Sequence, residues 1–192
     1  KNILGRSDME LTATAGYAGG LSTGKDPSRP GKSLVCYHNL QRIADYGSLG
    51  HAEAVRVKVP ASTVPEFTKE YAKLFDKQGD RPDKGDRGLE YRSVIGLPGG
   101  QSSPFYNQVK EILQDAKGLN LMTGKGNDPD TLGKKNVWLY DTNSFPLYQA
   151  EVYHQMHDGF FPGENYPSEY NALNKKLFEA GRFVDTGCPD II

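Results

Sequence analysis

The alternation in Gly50-His51-Ala52-Glu53-Ala54-Val55-Arg56-Val57-Lys58-Val59-Pro60 leaves this part of the chain little choice but a strand. Successive strand side chains point to opposite faces, so Arg56 and Lys58 share one face with Ala52 and Ala54, while Val55, Val57 and Val59 share the other. Glu53 falls in register with the valines and is aimed at the core. There, lost hydration disfavours its charged form and raises its pKa, which is the property of a general acid. The competing reading is a Glu at a fraying strand end, turned to solvent or paired with a basic residue.

The rest of the chain supplies more strands and the helices to cover them. Lys1 to Gly5 reads as the tail of a helix begun upstream, because it is too short to nucleate alone. Leu11 to Tyr17 is a strand with Leu11, Ala13, Ala15 and Tyr17 on one face. Thr63-Val64-Pro65-Glu66 has the form of a capping box, and Val64, Phe67, Tyr71, Leu74 and Phe75 make a helical stripe behind it. Tyr91 to Leu97 is a strand. Ser103-Pro104 opens a second helix with the stripe Phe105, Val109, Ile112, Leu113 and Ala116, closed by Gly118. Leu119 to Thr123 and Val137 to Tyr140 read as strands, and helical patterns follow at Gln149 to His157 and Ser168 to Ala180. Strands separated by helices predict an α+β layered sheet, a two-layer α/β sandwich, in one domain spanning 1–192 with an irregular C-terminal extension.

Several function classes fall away on composition. With 23 basic and 24 acidic residues and a net charge of -1, a general nucleic-acid binder is excluded. No apolar run approaches the ~18 residues of a membrane span and no signal-peptide pattern opens the chain, so a soluble protein is expected. Gly19 to Lys25 has the spacing of a phosphate-binding loop, but Asp26-Pro27 follows where a Ser or Thr and a helix are required, so the match is chance. The two cysteines, Cys36 and Cys188, are too few for a disulfide scaffold. A reducing, intracellular compartment is the default, and whether the two sulfurs meet is open. His154 and His157 share a helix face, yet nothing shows them converging with Cys36, His38 or His51 as zinc would require, so no metal is expected.

Four segments in order carry a family resemblance: Gly16-Tyr17-Ala18-Gly19-Gly20, Gly50-His51-Ala52-Glu53-Ala54-Val55, Gly85-Asp86-Arg87-Gly88-Leu89-Glu90-Tyr91-Arg92-Ser93 and Ala150-Glu151-Val152-Tyr153-His154-Gln155. Together they resemble A-type peptide methionine sulfoxide reductase, from about Leu11 to about His157. The resemblance implies a ferredoxin-like βαββαβ core and reduction of methionine S-sulfoxide, free or in proteins and peptides. It implies no bound cofactor, with thioredoxin or another thiol as reductant. A thiolate attacks the sulfoxide sulfur and becomes a sulfenic acid, which a resolving cysteine converts to a disulfide. By the same resemblance Glu53 is the proton donor, Asp86 a buried acid that orders a water, and Tyr91 a hydrogen-bond donor to the departing oxygen. A monomer is expected, as are protein repair and the oxidative-stress setting that goes with it.

The departures from the family are informative. Its nucleophile lies in a Gly-Cys-Phe-Trp segment that occurs nowhere in this chain, so the thiol is expected outside it, with the first strand and helix missing ahead of Lys1. The family's second active-site tyrosine is replaced by Lys32, and Tyr37 or Tyr46, from the insertion Tyr37 to Leu49, is a substitute. Tyr17, Cys36 and Tyr46 are candidate pocket residues, and Cys188 is a candidate resolving thiol in a tail whose flanks do not match the family's. Glu90 stands where Gln is commoner and adds a carboxylate near Asp86. The alternative function is a catalytically silent scaffold or interaction module on the same fold.

Overall fold

The computed structural model describes residues 12–26, 29–156 and 168–189. The expected helix tail at Lys1 to Gly5, Leu11 and His157 lie outside the described residues. The strands are β1 (Thr14–Ala18), β2 (Gly24–Lys25), β3 (Ser33–Leu34) and β4 (Ala52–Arg56), followed by helix α1 (Val64–Lys73). Strand β5 (Val94–Leu97), helix α2 (Tyr106–Lys117), and strands β6 (Asn120–Thr123), β7 (Asn136–Asp141) and β8 (Tyr148–Gln149) come next, and α3 (Ser168–Glu179) closes the set. The chain is therefore mixed α/β, as the alternation of strand and helix patterns predicts.

Its strands do not form one continuous sheet. An antiparallel sheet runs β4-β1-β8, a parallel one runs β5-β7-β6, and β2 pairs only with β3. The helices α1 and α2 pack together against the parallel sheet, burying Ala72, Phe75, Val109, Leu113, Leu121, Val137 and Leu139 in one core. Half-buried Val64, Tyr71 and Phe105 pack on its border, so each expected helical stripe is used in part, while Leu74 and Ala116 are exposed. A smaller aromatic cluster of Tyr17, Val35, Tyr46 and Ala150 sits on the antiparallel sheet.

Between the two sheets lies an apolar cleft of about 750 Å³, walled by Val55 and Val57, by Val64 and Phe67 of α1, and by Val94 and Ile95 of β5. Among the described residues β4 is hydrogen-bonded only to β1, and β5 only to β7, so each presents an edge, and both line this cleft. Val55 is 66% exposed for this reason. The valine face of β4, expected in a core, instead borders open space.

Local chemistry corrects three expected details. Thr63 caps no backbone amide; its hydroxyl donates to the Pro60 carbonyl at 2.7 Å, so the predicted capping box is absent. Residues Leu89–Tyr91 form a 3₁₀ turn and the strand begins at Val94, because Arg92 and Ser93 are spent on tertiary hydrogen bonds. The pattern at Gln149 to His157 yields β8 and a 3₁₀ turn at Val152–His154 rather than a longer helix. Its Gln155 side chain is diverted to the backbone of β1, accepting from Ala15 N–H and donating to the Ala15 carbonyl. The Gly19 to Lys25 stretch ends in β2 and has no helix behind it among the described residues.

Cys36 and Cys188 are joined in a disulfide across 152 residues of sequence. Such bonds persist in oxidising surroundings, so the pair does not support the reducing compartment expected from cysteine count. Closing so long a loop restricts the unfolded chain, and Cys188→Ser is expected to lower stability by about 3 kcal/mol. Urea unfolding of the oxidised protein and the variant, at one pH and with equal slopes, measures the difference. A midpoint shared by the two proteins would show that the bond constrains nothing.

Candidate functional site

The antiparallel register places Tyr17 of β1 directly across from Glu53 of β4. The buried Tyr17 ring stacks on Tyr46 at 4.5 Å between centroids, and Tyr37 stacks beyond Tyr46 at 5.9 Å. Tyr46 is wholly buried, and its backbone is pinned on both sides: its N–H donates to the Cys36 carbonyl and its carbonyl accepts from His51 N–H. The chain then enters β4 through Gly50 at φ 82°, where any side chain would strain and would also meet the Asn127 amide. The insertion Tyr37 to Leu49 thus delivers a phenol to the carboxyl end of Glu53.

The Tyr46 hydroxyl lies 3.0 Å from Glu53 Oε1 and 3.2 Å from Glu90 Oε2, donating toward both. A phenol has one proton, so both contacts are satisfied together when one carboxyl is protonated and returns the bond. Glu53 is the carboxyl whose proton is favoured. Burial of its carboxyl raises its pKa, Asp86 and Glu90 raise it further, and the Tyr46 hydrogen bond and His38 oppose the shift. Glu53 is not sunk in a core as the strand pattern predicts: the residue is exposed at the cleft edge, with its acid end drawn under Tyr46. The open cleft leaves its stem uncovered.

Asp86 and Tyr91 join this group through their electrostatics. Loss of hydration raises the Asp86 carboxyl, Asp83 adds to this and Arg81 opposes it. Asp86 is exposed, not buried as the resemblance implies, and lies in the polar turn ahead of Leu89–Tyr91. The Tyr91 phenol is pushed up to about 12, by burial first and by Glu53 next, while a hydrogen bond with Tyr46 opposes the rise. Tyr46 and Tyr37 are likewise shifted upward by burial and by Glu53. All three phenols keep their protons, so the site holds three neutral donors around a carboxyl that favours its neutral form.

Two groups that the sequence reading left without a role complete the constellation. His38 places Nδ1 2.7 Å from Asp45 and Nε2 3.1 Å from Glu90. Burial lowers its pKa, but the hydrogen bond to Asp45 and the Glu90 charge outweigh this and hold it above the ordinary range. Glu151 is buried, accepting from the Tyr17 hydroxyl at 2.9 Å and from Tyr37 N–H at 2.8 Å. The motif containing Glu151 was visible, but its apolar neighbours disguised a carboxylate that reaches across to two other segments.

Arg92 holds the two halves together. Its Nη2 donates to the carbonyls of Gly19 and Gly50, its Nη1 to that of Leu89, and its Nε to the Tyr140 hydroxyl.

Cys36, Cys188 and Glu151 are the one described cluster with metal-binding donor types, their ligand atoms lying within 4.8 Å of one another. Both sulfurs are spent in the disulfide, and the single carboxylate left is short of the three or four donors that zinc takes. His51 is also occupied: Gly20 N–H donates to Nδ1, and Nε2–H donates to the Ser22 carbonyl, with burial keeping the ring neutral. No described helix is long and apolar enough to cross a membrane. Comparison with family models, curated proteins and solved structures gives no match.

Proposed function

We propose that this chain is the acid-bearing part of a methionine S-sulfoxide reductase, its nucleophilic cysteine carried on a strand that seats in the cleft between β4 and β5. The observation that carries the reading is the Glu53 carboxyl at the edge of that cleft, hydrogen-bonded to the Tyr46 phenol and close enough to Tyr91 and Asp86 for their charges to act on one another. Sulfoxide oxygen is a strong acceptor, and neutral donors in a partly dehydrated setting bind it without charge of their own. A strand between β4 and β5 would pair both free edges, join the two sheets and complete a ferredoxin-like core. It would also cover apolar edges that are otherwise an aggregation hazard.

In the reaction a thiolate attacks the sulfoxide sulfur while Glu53 gives its proton to the oxygen. The attack forms an S–S bond, the S–O bond breaks as the oxygen leaves as hydroxide, and hydroxide then attacks the cysteine sulfur, breaking the S–S bond to release the thioether and leave the cysteine as sulfenic acid. A second thiol condenses with the sulfenic acid to a disulfide and water, and thioredoxin or another dithiol reduces that disulfide. Tyr91 orients the oxygen, Tyr46 holds the Glu53 carboxyl through its hydrogen bond, and Glu90 with His38 returns a proton toward Tyr46 and Glu53.

Assay of N-acetylmethionine S-sulfoxide with dithiothreitol tests this. The chain alone is expected to give no turnover, because neither Cys36 nor Cys188 lines the cleft beside Glu53, even after dithiothreitol opens their bond. Adding a strand peptide that contains Gly-Cys-Phe-Trp is expected to give turnover that saturates with peptide. Turnover by the chain alone that Cys36→Ser abolishes would overturn the placing of the nucleophile. The same cleft also fits a silent module that binds a partner strand without chemistry, and saturable peptide binding with no turnover would select that reading.

A further inference from the structure

We propose that Cys36 and Cys188 form a thiol–disulfide exchange site for small disulfides, with Glu151 as the base that frees the Cys36 thiolate. The exchange does not depend on the sulfoxide chemistry, although its Glu151 is held by Tyr17 and Tyr37 of the tyrosine cluster beside Glu53. Its two sulfurs differ in access: Cys36 is 0% exposed, whereas Cys188 is half-buried on the tail. A disulfide partner can therefore reach only Cys188. Behind the buried sulfur stands Glu151, whose carboxylate lies with both sulfurs inside a 4.8 Å cluster. Glu151 itself is fixed by the Tyr17 hydroxyl and the Tyr37 amide, so its distance to Cys36 is set by β1 and the Tyr37 to Leu49 segment.

The tail does not rely on the disulfide for its position. Val184 exchanges two hydrogen bonds with the Gln149 side chain, Arg29 donates to the Thr186 carbonyl, and Phe183 is buried. Cys188 is thus held beside Cys36 when the bond is open, which is the condition for a reversible dithiol rather than a purely structural crosslink. In the exchange, the Cys188 thiolate attacks one sulfur of the incoming disulfide and expels the first thiolate, leaving a mixed disulfide on Cys188. Glu151 takes the proton of Cys36, and the Cys36 thiolate attacks the Cys188 sulfur and expels the second thiolate. The proton on Glu151 returns to water. The incoming disulfide is reduced to two thiols, and the protein dithiol is oxidised to the Cys36–Cys188 bond.

The probe is glutathione disulfide, added to the full chain after reduction and removal of reductant, with acid quenching and intact-mass analysis over time. The expected result is a transient glutathione adduct, mapped to Cys188, that decays to the protein disulfide. With Glu151→Gln the adduct should accumulate and decay about 100-fold more slowly, the low end of what a positioned base contributes. Glu151→Asp, which keeps the carboxylate, should recover part of the rate. An adduct on Cys36, a Glu151→Gln decay as fast as that of the unaltered chain, or loss of the native near-ultraviolet circular dichroism on reduction would each overturn the proposal. The adduct mapping uses the unaltered chain, so it decides the order of attack even where Glu151→Gln does not fold.

Discussion

Glu53→Gln is expected to slow methionine S-sulfoxide reduction by the peptide-complemented chain by ~100- to ~10,000-fold, the range for losing a general acid. The amide fills the same space and still accepts from Tyr46, but it has no proton to give the departing oxygen. The substitution carries an opposite signature in stability. The folded protein raises the Glu53 pKa, so it holds that proton more tightly than the unfolded chain does. The resulting stabilisation is full below the ordinary carboxyl range and is lost as pH rises through the raised folded value. Above that raised value an ionised Glu53 therefore weakens the fold, and there Glu53→Gln should melt at a higher temperature than the unaltered chain. In acid the two should melt together. Rates that match at every pH would return Glu53 to a solvated strand end and remove the acid from the mechanism.

Alternation in β4 was legible because its period is local, and the register that sets Glu53 opposite Tyr17 follows from pairing two such strands. Helices α1 and α2 were legible for the same reason, since their apolar stripes face a single core. What could not be read was anything decided by distant partners. Tyr46 and Tyr37 were equal candidates in the insertion, and only the stacking on Tyr17 turns the Tyr46 hydroxyl to Glu53. The burial of Glu53 was overread, since a valine-lined face implies a core only where something packs on it, and here it borders the cleft. Thr63 shows the limit of motif reading at small scale: the box was present in sequence, but the preceding Pro60 carbonyl took the hydroxyl. The pairing of Cys36 with Cys188 lay beyond sequence altogether, because a sequence separation of 152 leaves the meeting to the tertiary fold.

Arg92→Ala is expected to cost about 4 kcal/mol or more, from loss of charge-assisted hydrogen bonds that contribute about 1.5–3 kcal/mol each. Arg92 is 2% exposed, and its donors reach Gly50 at 2.8 Å, Leu89 at 3.0 Å and Gly19 at 3.1 Å. Those carbonyls belong to the entry of β4 and the exit of β1, which are paired in the antiparallel sheet, and to the turn that carries Tyr91, which lies outside that sheet. Nε points to the Tyr140 hydroxyl of β7, which donates onward to Asp128 at 2.8 Å, so the buried charge is balanced at one remove. Alanine strips the Gly50 carbonyl of its guanidinium donor, while Gly19 still accepts from Asn127 N–H and Leu89 from the backbone amide at position 92; the buried charge-assisted bonds that are lost are why the cost exceeds that of a surface cation. Lysine keeps the charge but has a single nitrogen, and it cannot span carbonyls that a planar fork reaches together. Arg92→Lys should therefore recover part of the stability yet still release Tyr91 from Glu53. Urea unfolding at one pH measures the first effect. The second appears as a Tyr91 phenol that titrates below about 12, once the Glu53 charge and the burial that raise it are relaxed. A cost under about 1 kcal/mol for Arg92→Ala, the worth of one ordinary hydrogen bond, would mean that the two halves of the site are positioned by something other than this guanidinium.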